Sequence, residues 1–269
     1  MSDDGLPTGR RERAAVRLVR GGSAEPPAAL TRPALGGALP MLSALMVTGS
    51  RPRQAKVAIA CFQRQTYPNT ELVIVDDGRS DELAEFVSCL RDDRIRMVRL
   101  PTSDATLGEL RNVSVDHARG ELLCQWDDDD FSDPDRLLWQ VSALLDTDVA
   151  ACFLERWLVL WTSQPRLAIS TRRLWEGSMV ARREAIGRYP SLRRGEDSAV
   201  VQGILALGPV VLLDAPELYV YVVHGENTFD SKHFDAHWDA ATHQFADVDG
   251  AIAQLRDYLP MGEALRRIE

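Results

Sequence analysis

The sequence lacks several features that would each assign it to a broad class of protein. No apolar run reaches the roughly 18–20 residues that a membrane-spanning helix needs, and no secretory signal pattern opens the chain. The formal net charge is −9, whereas nucleic-acid-binding proteins usually present a basic face, so we expect no nucleic-acid partner. No G-x-G-x-x-G fingerprint follows the first expected strand, which argues against a dinucleotide-dependent oxidoreductase.

The cysteines are few and widely separated. Cys61, Cys89, Cys124 and Cys152 lie about 30 residues apart and form no C-x-x-C pair, so their spacing is atypical of a zinc site. Three of them lie in apolar runs, which favours small buried side chains in a reducing compartment. We therefore expect a cytoplasmic protein.

The first 40 residues differ in composition from the remainder of the chain. They are rich in Gly, Pro, Ala and Arg and show no sustained periodicity, so we interpret residues 1–40 as a mostly disordered or loosely docked leader. The arginine-rich stretch 10–20 is compatible with a short basic helix. Such a helix leaves a weak peripheral membrane association open.

From Leu42 onward, short apolar runs alternate with amphipathic stretches. Strands are predicted at 42–48, 71–75, 94–100 and 122–126, and helices at 53–65, after Ser80, and at 107–118. This alternation predicts an α/β fold with a mainly parallel central sheet and helices on both faces.

The second half predicts shorter strands. They are expected within 149–162, 167–170, 175–181, 210–213 and 218–223, with a helix at 197–207 and a helical tail from about 235. We expect this half to extend the same sheet.

Polar segments follow three of the predicted strands: Thr48-Gly49, Asp76-Asp77-Gly78, and the acidic run Asp127 to Asp130. Ligands of parallel sheets bind beyond the carboxyl ends of the strands, so these segments predict one site. Four consecutive aspartates repel one another unless water or a cation neutralises them. Carboxylates suit Mg²⁺ or Mn²⁺, which can bridge them to a diphosphate and act as a Lewis acid on a leaving group.

Two nearby aspartates have a simpler interpretation. Asp133 followed by Pro134 is typical of a helix N-cap with proline at the first helical position, and Asp135 suits the positive end of the helix dipole. The following segment is amphipathic. We therefore predict a structural role for both aspartates.

The motif Asp127-x-Asp129-Asp130, with Pro134 and Leu137 after it, resembles the D-x-D motif of family 2 glycosyltransferases, which have the GT-A fold. The resemblance extends over about 42–227 and depends on the order and spacing of several motifs. They are the base-binding turn Val75-Asp76-Asp77-Gly78, the segment 108–120 with Arg111-Asn112, the acidic pair in Gly195-Glu196-Asp197, and the late histidine His224.

The resemblance implies an inverting, metal-dependent glycosyltransferase. It would move one sugar from a UDP-, GDP- or dTDP-sugar to a saccharide, lipid-linked or small-molecule acceptor. The implied domain is 41–230, with a Rossmann-like nucleotide-sugar half at 41–135 and an acceptor half at 136–230, followed by a helical tail at 231–269. The Q-x-x-R-W motif of processive members does not follow Asp197, which favours single additions.

The resemblance also implies a role for each candidate residue. Asp197 would be the general base, as inverting transfer requires, with Glu196 beside it. Asp129 and His224 would bind Mn²⁺ or Mg²⁺. The donor nucleotide would contact the remaining candidates, Thr48, Asp77, Arg111, Asp127 and Asp128.

Each role has a structural alternative. Asp77-Gly78 also fits an ordinary turn, Arg111 a surface salt bridge, Asp197 a helix cap, and His224 a structural hydrogen bond. From position alone, we place Trp175, Glu176 and Arg194 at the acceptor site.

Two other functions compete with sugar transfer. A sugar-phosphate nucleotidyltransferase also uses aspartates and Mg²⁺, but the segment 48–52 is too poor in glycine for its phosphate loop. A non-catalytic nucleotide-sugar-binding protein would not need the acidic pair Glu196-Asp197.

Overall fold

The computed structural model describes residues 6, 11–20, 23–31, 39–100, 104–229, 231–257 and 259–261. The strands in these ranges are β1 (Arg13–Arg20), β2 (Ser23–Ala24), β3 (Ala28–Thr31), β4 (Leu42–Thr48), β5 (Thr70–Asp76), β6 (Ile95–Arg99), β7 (Leu122–Gln125), β8 (Phe131–Ser132), β9 (Ala151–Leu154), β10 (Leu158–Trp161), β11 (Arg166–Ile169), β12 (Val180–Arg182), β13 (Val210–Asp214), β14 (Tyr219–Val223) and β15 (His243–Gln244). The α-helices are α1 (Pro52–Gln63), α2 (Glu82–Leu90), α3 (Leu107–His117), α4 (Arg136–Thr147), α5 (Glu196–Leu207), α6 (Ser231–Asp239) and α7 (Val248–Arg256).

The larger sheet has the strand order β2-β1-β13-β9-β12-β7-β4-β5-β6, with β3 also paired to β1. Strands β7, β4, β5 and β6 are parallel, and so are β9 and β13. Strand β12 is antiparallel to both β7 and β9, so β9 and β13 point in the same direction as β4. The predicted α/β fold with a mainly parallel central sheet is confirmed.

Successive residues of the central strands contact different helices, because side chains alternate between the faces of a sheet. Ala44 and Met46 of β4 belong to the main core, together with Ile59 of α1 and Leu137 of α4. Leu45 lies on the opposite face, in a smaller cluster that packs against α3. Helices therefore cover both faces, as a parallel sheet requires.

The second half of the chain does not extend the same sheet throughout, and this prediction is corrected. Strands β9, β12 and β13 join the larger sheet, whereas β15, β11, β10, β14 and β8 form a second sheet in that order. The apolar run 149–162 divides at Glu155-Arg156, where the chain passes from one sheet to the other. Glu155 pairs with Arg17 and Arg156 with Asp214, so these charged side chains are held where the strand ends.

The arginine-rich stretch near the start is a strand rather than the basic helix expected for it. β1 pairs antiparallel with β13, with Val16 opposite Leu213. Ala14 and Val16 are buried while Arg13 is exposed, which is the alternation of a half-buried strand. The rest of the expected leader at 1–5, 7–10, 21–22 and 32–38 lies outside the described residues.

Two local predictions also need correction. The N-cap of α4 is Asp135, whereas Asp133 accepts a hydrogen bond from the Asp135 amide at 2.7 Å and so forms a tight turn before the helix. The strand expected at 175–181 begins as a 3₁₀ turn, Glu176–Ser178, and becomes β12 only at Val180.

The tail contains α6 and α7 with the short β15 between them, and residues 262–269 lie outside the described ranges. Each helix in the described ranges is too short or too polar to cross a membrane.

Candidate active site

A cleft of about 290 Å³ lies beyond the carboxyl end of β7. The acidic run Asp127 to Asp130 lines one side, and Arg111 of α3 with Glu196 and Asp197 of α5 lines another. The remaining wall is largely aromatic and comes from β14, α6 and the segment before β10. The cleft therefore forms at the edge of the sheet where the strand-end segments predicted a site.

Asp128 is buried beneath the cleft and is held by two donors. The Thr48 hydroxyl donates to its Oδ2 at 2.5 Å, and Arg51 Nη2 donates to its Oδ1 at 2.7 Å. Burial and the charge of Asp129 raise the pKa of Asp128 to about 7, although Arg51 opposes the shift. Thr48, predicted to contact the nucleotide, thus also supports the acidic run.

Asp129 lies beside His224, as expected for two ligands of one cation. His224 Nε2 is 3.1 Å from Asp129 Oδ2, and Arg51 Nη1 donates to the same oxygen at 2.6 Å. Burial opposes ionisation of Asp129, but the hydrogen bond with His224 and the charge of Arg51 outweigh it and lower its pKa. Asp129 is therefore a carboxylate at neutral pH.

The chemistry of these donors fits Mn²⁺ or Mg²⁺. Asp129 offers a hard oxygen and His224 an imidazole nitrogen, both of which Mn²⁺ accepts, while Mg²⁺ prefers the oxygen. In the described part of the chain, no group of three or more His, Cys, Asp or Glu side chains is arranged to hold a metal ion. An open site with few protein ligands suits a cation that also binds substrate phosphates.

Asp130, to which the sequence assigned no role, fastens the acidic run to β14. The Tyr219 hydroxyl donates to its Oδ2 at 2.5 Å and the Val222 amide to its Oδ1 at 2.7 Å. Burial raises the pKa of Asp130 well above its usual range. Because His224 directly follows β14, this attachment keeps it next to Asp129.

Arg111 connects the acidic run to the acidic pair of α5. Its Nε lies 2.7 Å from Glu196 Oε1, and its Nη2 lies 3.4 Å from Asp127 Oδ1. Burial lowers the pKa of Arg111, but these carboxylates and others nearby outweigh that effect and raise it. The side chain is only 10% exposed, so the alternative of a surface salt bridge is wrong.

Asp197 lies in the first turn of α5 and lines the cleft. The chain enters the helix through Gly195, whose φ of 70° is in the left-handed region that glycine adopts readily. Burial, with the charges of Glu196 and Asp127, raises the pKa of Asp197 although Arg111 opposes it. The N-cap of α5 is Gly195, so the alternative of Asp197 as a helix cap is wrong, although its place in the first turn suits the helix dipole.

Asp77 lies beside the cleft rather than within its lining. A Cβ added to Gly49 would meet Asp77 Oδ1 at 2.3 Å, so Gly49 leaves the space that this carboxylate fills. Burial and the charge of Asp76 raise the pKa of Asp77. A second, smaller hollow at this point is lined by Thr48, Arg51, Asp76 and others.

Several cleft residues were missed from the sequence. Arg51 follows β4, so the strand-end rule that selected Asp77 would also have selected it. Trp157 stacks on Trp175 at 4.3 Å and on Tyr219 at 5.1 Å. Because Tyr219 donates to Asp130, these rings connect the aromatic wall to the acidic run. Nothing local marks these contacts, because they join residues far apart in the chain.

The tail helix α6 also contributes to the cleft, although its histidines were assigned nothing. Phe234 packs 6.0 Å from Tyr221, and His237 packs 5.4 Å from Trp175. Trp175, Glu176 and Arg194, placed in this half from their positions, do line the cleft. The cleft thus has an acidic side and an aromatic side.

A mainly parallel sheet with a D-x-D run at its edge defines a glycosyltransferase of GT-A fold, and the comparisons agree. The model of glycosyl transferase family 2 matches residues 43–184, more than half of the 269-residue chain. The chain belongs to this family. Membership of this family favours sugar transfer over the nucleotidyltransferase alternative.

Curated relatives match over part of their length. The putative colanic acid biosynthesis glycosyl transferase WcaA of Escherichia coli K12 is 35% identical over 100 residues, 36% of each protein. The UDP-Glc:alpha-D-GlcNAc-diphosphoundecaprenol beta-1,3-glucosyltransferase WfgD of Escherichia coli is 26% identical over 110 residues, 41% of this chain and 43% of WfgD. The matches thus span less than half of either relative.

Solved structures share the fold over most of the chain. The mannosyltransferase PcManGT of Pyrobaculum calidifontis, in complex with GDP-Man and Mn²⁺, has a TM-score of 0.54 at 17% identity, covering 84% of this chain and 72% of that one. S. aureus TarS 1-349 in complex with UDP-GlcNAc has a TM-score of 0.53 at 16% identity, covering 80% and 71%. At these identities the likeness shows the fold alone.

Proposed function

We propose that the protein transfers one sugar, with inversion and with a divalent cation, from a nucleotide-sugar donor to a saccharide, lipid-linked or small-molecule acceptor. The observation that carries this proposal is that Asp197 and the acidic run Asp127 to Asp130 line the same cleft. One side of that cleft suits a cation and a diphosphate, and the other suits a hydroxyl acceptor.

On the donor side, Asp129 and His224 would hold Mn²⁺ or Mg²⁺, which would neutralise charge on the leaving diphosphate. Asp127 and Arg111 extend this side, where an arginine can bind a phosphate or ribose oxygen. Thr48 and Asp77 would border the nucleotide. The complexes of PcManGT with GDP-Man and Mn²⁺ and of TarS with UDP-GlcNAc support a nucleoside-diphosphate donor.

On the acceptor side, Asp197 would take the proton of the attacking hydroxyl. The acceptor oxygen bonds to the anomeric carbon while the bond to the diphosphate breaks on the opposite face, and the proton passes to the carboxylate. A base works best with a pKa near the working pH, and burial raises the pKa of Asp197 in that direction.

The aromatic wall supports an acceptor that carries a ring. Trp157, Trp175, Tyr221 and Phe234 give the cleft an apolar wall of largely buried rings, as is common in ligand pockets. WfgD is a glucosyltransferase named for an alpha-D-GlcNAc-diphosphoundecaprenol acceptor, which supports a lipid-linked acceptor here. All four cysteines are unpaired thiols, which supports a reducing, cytoplasmic setting.

Isothermal titration with UDP, GDP and dTDP, with and without Mn²⁺, tests the donor side. We expect at least one of the three to bind only when Mn²⁺ is present. An Asp129→Asn variant should no longer show this Mn²⁺-dependent binding, because the carboxylate proposed to bind the ion directly is gone. If none of the three nucleotides shows Mn²⁺-dependent binding, the proposal is refuted.

Two matched variants test the base. Asp197→Asn should lower transfer by about 10²–10⁴-fold, the usual worth of a general base, while nucleotide binding persists. Glu176→Gln removes another carboxylate from the same cleft, one that is paired to Arg173, and should have a much smaller effect. Full activity of the Asp197 variant, or the reverse order of effects, contradicts the assignment.

A further inference from the structure

The guanidinium of Arg51 lies at the oxygen that the proposed cation would use. Nη1 is 2.6 Å from Asp129 Oδ2, and Nη2 is 2.7 Å from Asp128 Oδ1. The imidazole of His224 reaches the same Asp129 oxygen at 3.1 Å. A cation bound to both Asp129 and His224 would therefore have the guanidinium as its immediate neighbour.

Two cations would compete at this position. A metal–oxygen bond of about 2.1 Å would place a divalent ion roughly 3–4 Å from a guanidinium nitrogen on the same oxygen, in a poorly solvated site. Like charges at that separation repel. Binding of the divalent ion therefore weakens the hold of Arg51 on Asp129.

The negative charge of the acidic run requires a nearby cation, either the Arg51 guanidinium or a divalent ion. Asp127, Asp128 and Asp129 all act on Arg51, and together they outweigh burial and raise its pKa. Asp128 is 2% exposed and Asp129 14%, so water neutralises them poorly. Removing Arg51 leaves these buried carboxylates without a cation, and a divalent ion restores the balance.

Arg51 also has room to move. It lies between β4 and α1, after Ser50, whose φ of 61° marks a sharp turn, and its side chain is 27% exposed. It lines both the main cleft and the smaller hollow. Asp76 also lines that hollow, where its buried Oδ2 lies 3.6 Å from Arg99 Nε.

We propose that Arg51 is an internal counter-ion that occupies the cation position of the metal-free enzyme and exchanges with the divalent ion. This inference rests on the proposed metal dependence. It makes Arg51 a positioning residue that keeps Asp128 and Asp129 together before the donor arrives. Cation binding then includes the cost of breaking two charge-assisted hydrogen bonds.

The test measures Mn²⁺ affinity without nucleotide, by the electron paramagnetic resonance signal of free Mn²⁺. Arg51→Gln should bind Mn²⁺ about tenfold more tightly than the natural protein, or better, because no charged hydrogen bonds need to be broken. The matched control is Arg53→Gln, which removes the same charge from an exposed side chain two residues further. Its Mn²⁺ affinity should stay within about twofold, since an exposed charge is screened.

The outcomes separate this inference from the proposed function. Equal or weaker Mn²⁺ affinity in a folded Arg51→Gln variant overturns the exchange, while Mn²⁺-dependent binding of UDP or GDP by the natural protein keeps the proposed function. If no variant binds Mn²⁺, with or without UDP or GDP, the metal dependence fails and the exchange fails with it. Should Arg51→Gln not fold by circular dichroism, Arg51→Met replaces it, and a gain of at least a few-fold is required.

Discussion

The hydroxyl of Tyr219 can be removed with little other change. Tyr219→Phe deletes one oxygen and keeps a ring that stacks on Trp157 at 5.1 Å and lies 4.6 Å from the Arg136 guanidinium. The side chain is 1% exposed, so the deletion admits no water. The variant therefore removes the bond between Tyr219 and Asp130, together with a longer contact of 3.3 Å from the same hydroxyl to Asp127 Oδ2.

The size of the effect follows from the burial of Asp130. This carboxyl is 5% exposed, and its donors among the described residues are Tyr219 at 2.5 Å and the Val222 amide at 2.7 Å. Removing one partner of a buried hydrogen bond leaves the other partner unsatisfied, which costs about 1–3 kcal/mol. We expect the free energy of unfolding to fall by about 2 kcal/mol and the Tm by about 4–8 °C.

Urea unfolding followed by tryptophan fluorescence, in EDTA, measures this loss. Tyr221→Phe is the matched control, since Tyr221 lies two positions along β14 and stacks on the same Trp157 at 5.3 Å. Its cost should stay within about 0.5 kcal/mol. In an Asp130→Asn background, the cost of Tyr219→Phe should shrink, because the two groups act as a pair. Equal costs for the two tyrosines, or an undiminished cost in the Asp130→Asn background, would refute the reasoning.

Three further predictions concern catalysis, a buried charge and a helix. Because burial raises the pKa of Asp197, kcat/KM should fall with decreasing pH at a midpoint above that of an ordinary aspartate, and an acid limb at the ordinary value contradicts the base assignment. Arg111→Met leaves buried carboxylates unpaired and should cost about 3–5 kcal/mol in urea unfolding, against at most about 1 kcal/mol for Arg188→Met, whose ion pair is exposed; similar costs would be inconsistent with a buried link. Gly203→Ala should raise the free energy of unfolding by about 0.5–1 kcal/mol, because its Cβ would meet nothing within 4 Å inside α5, and a lower Tm would count against this.

Much of the nucleotide half was predictable. The structure confirms the strand at Leu42–Thr48 to the residue, and β5, β7 and α3 within one residue at each end. Buried parallel strands are continuous apolar runs, and the polar segments after them are equally visible in sequence. The rule that ligands bind at strand ends therefore predicted, from sequence alone, that the acidic run borders the binding site.

The acceptor half was less predictable, because its pairings join distant parts of the chain. The pairing of Val16 with Leu213 joins the first strand to a strand late in the chain, and no local pattern encodes it. The sequence shows that Glu155 interrupts an apolar run. It does not predict that the strands before and after Glu155 belong to different sheets. The position of α6 over the cleft depends likewise on packing against Trp175 and Tyr221.

The sequence by itself determined the family, the strands that end at the cleft, and the residues proposed to hold the cation and the base. Local hydrophobic runs and short motifs carry that information, because each depends on neighbours in the chain. The tertiary structure alone decided that Arg51 lies on Asp129 and that Tyr219 fastens Asp130. Those contacts form only when strand order brings together side chains 78 and 89 residues apart, and that order is a property of the folded sheet.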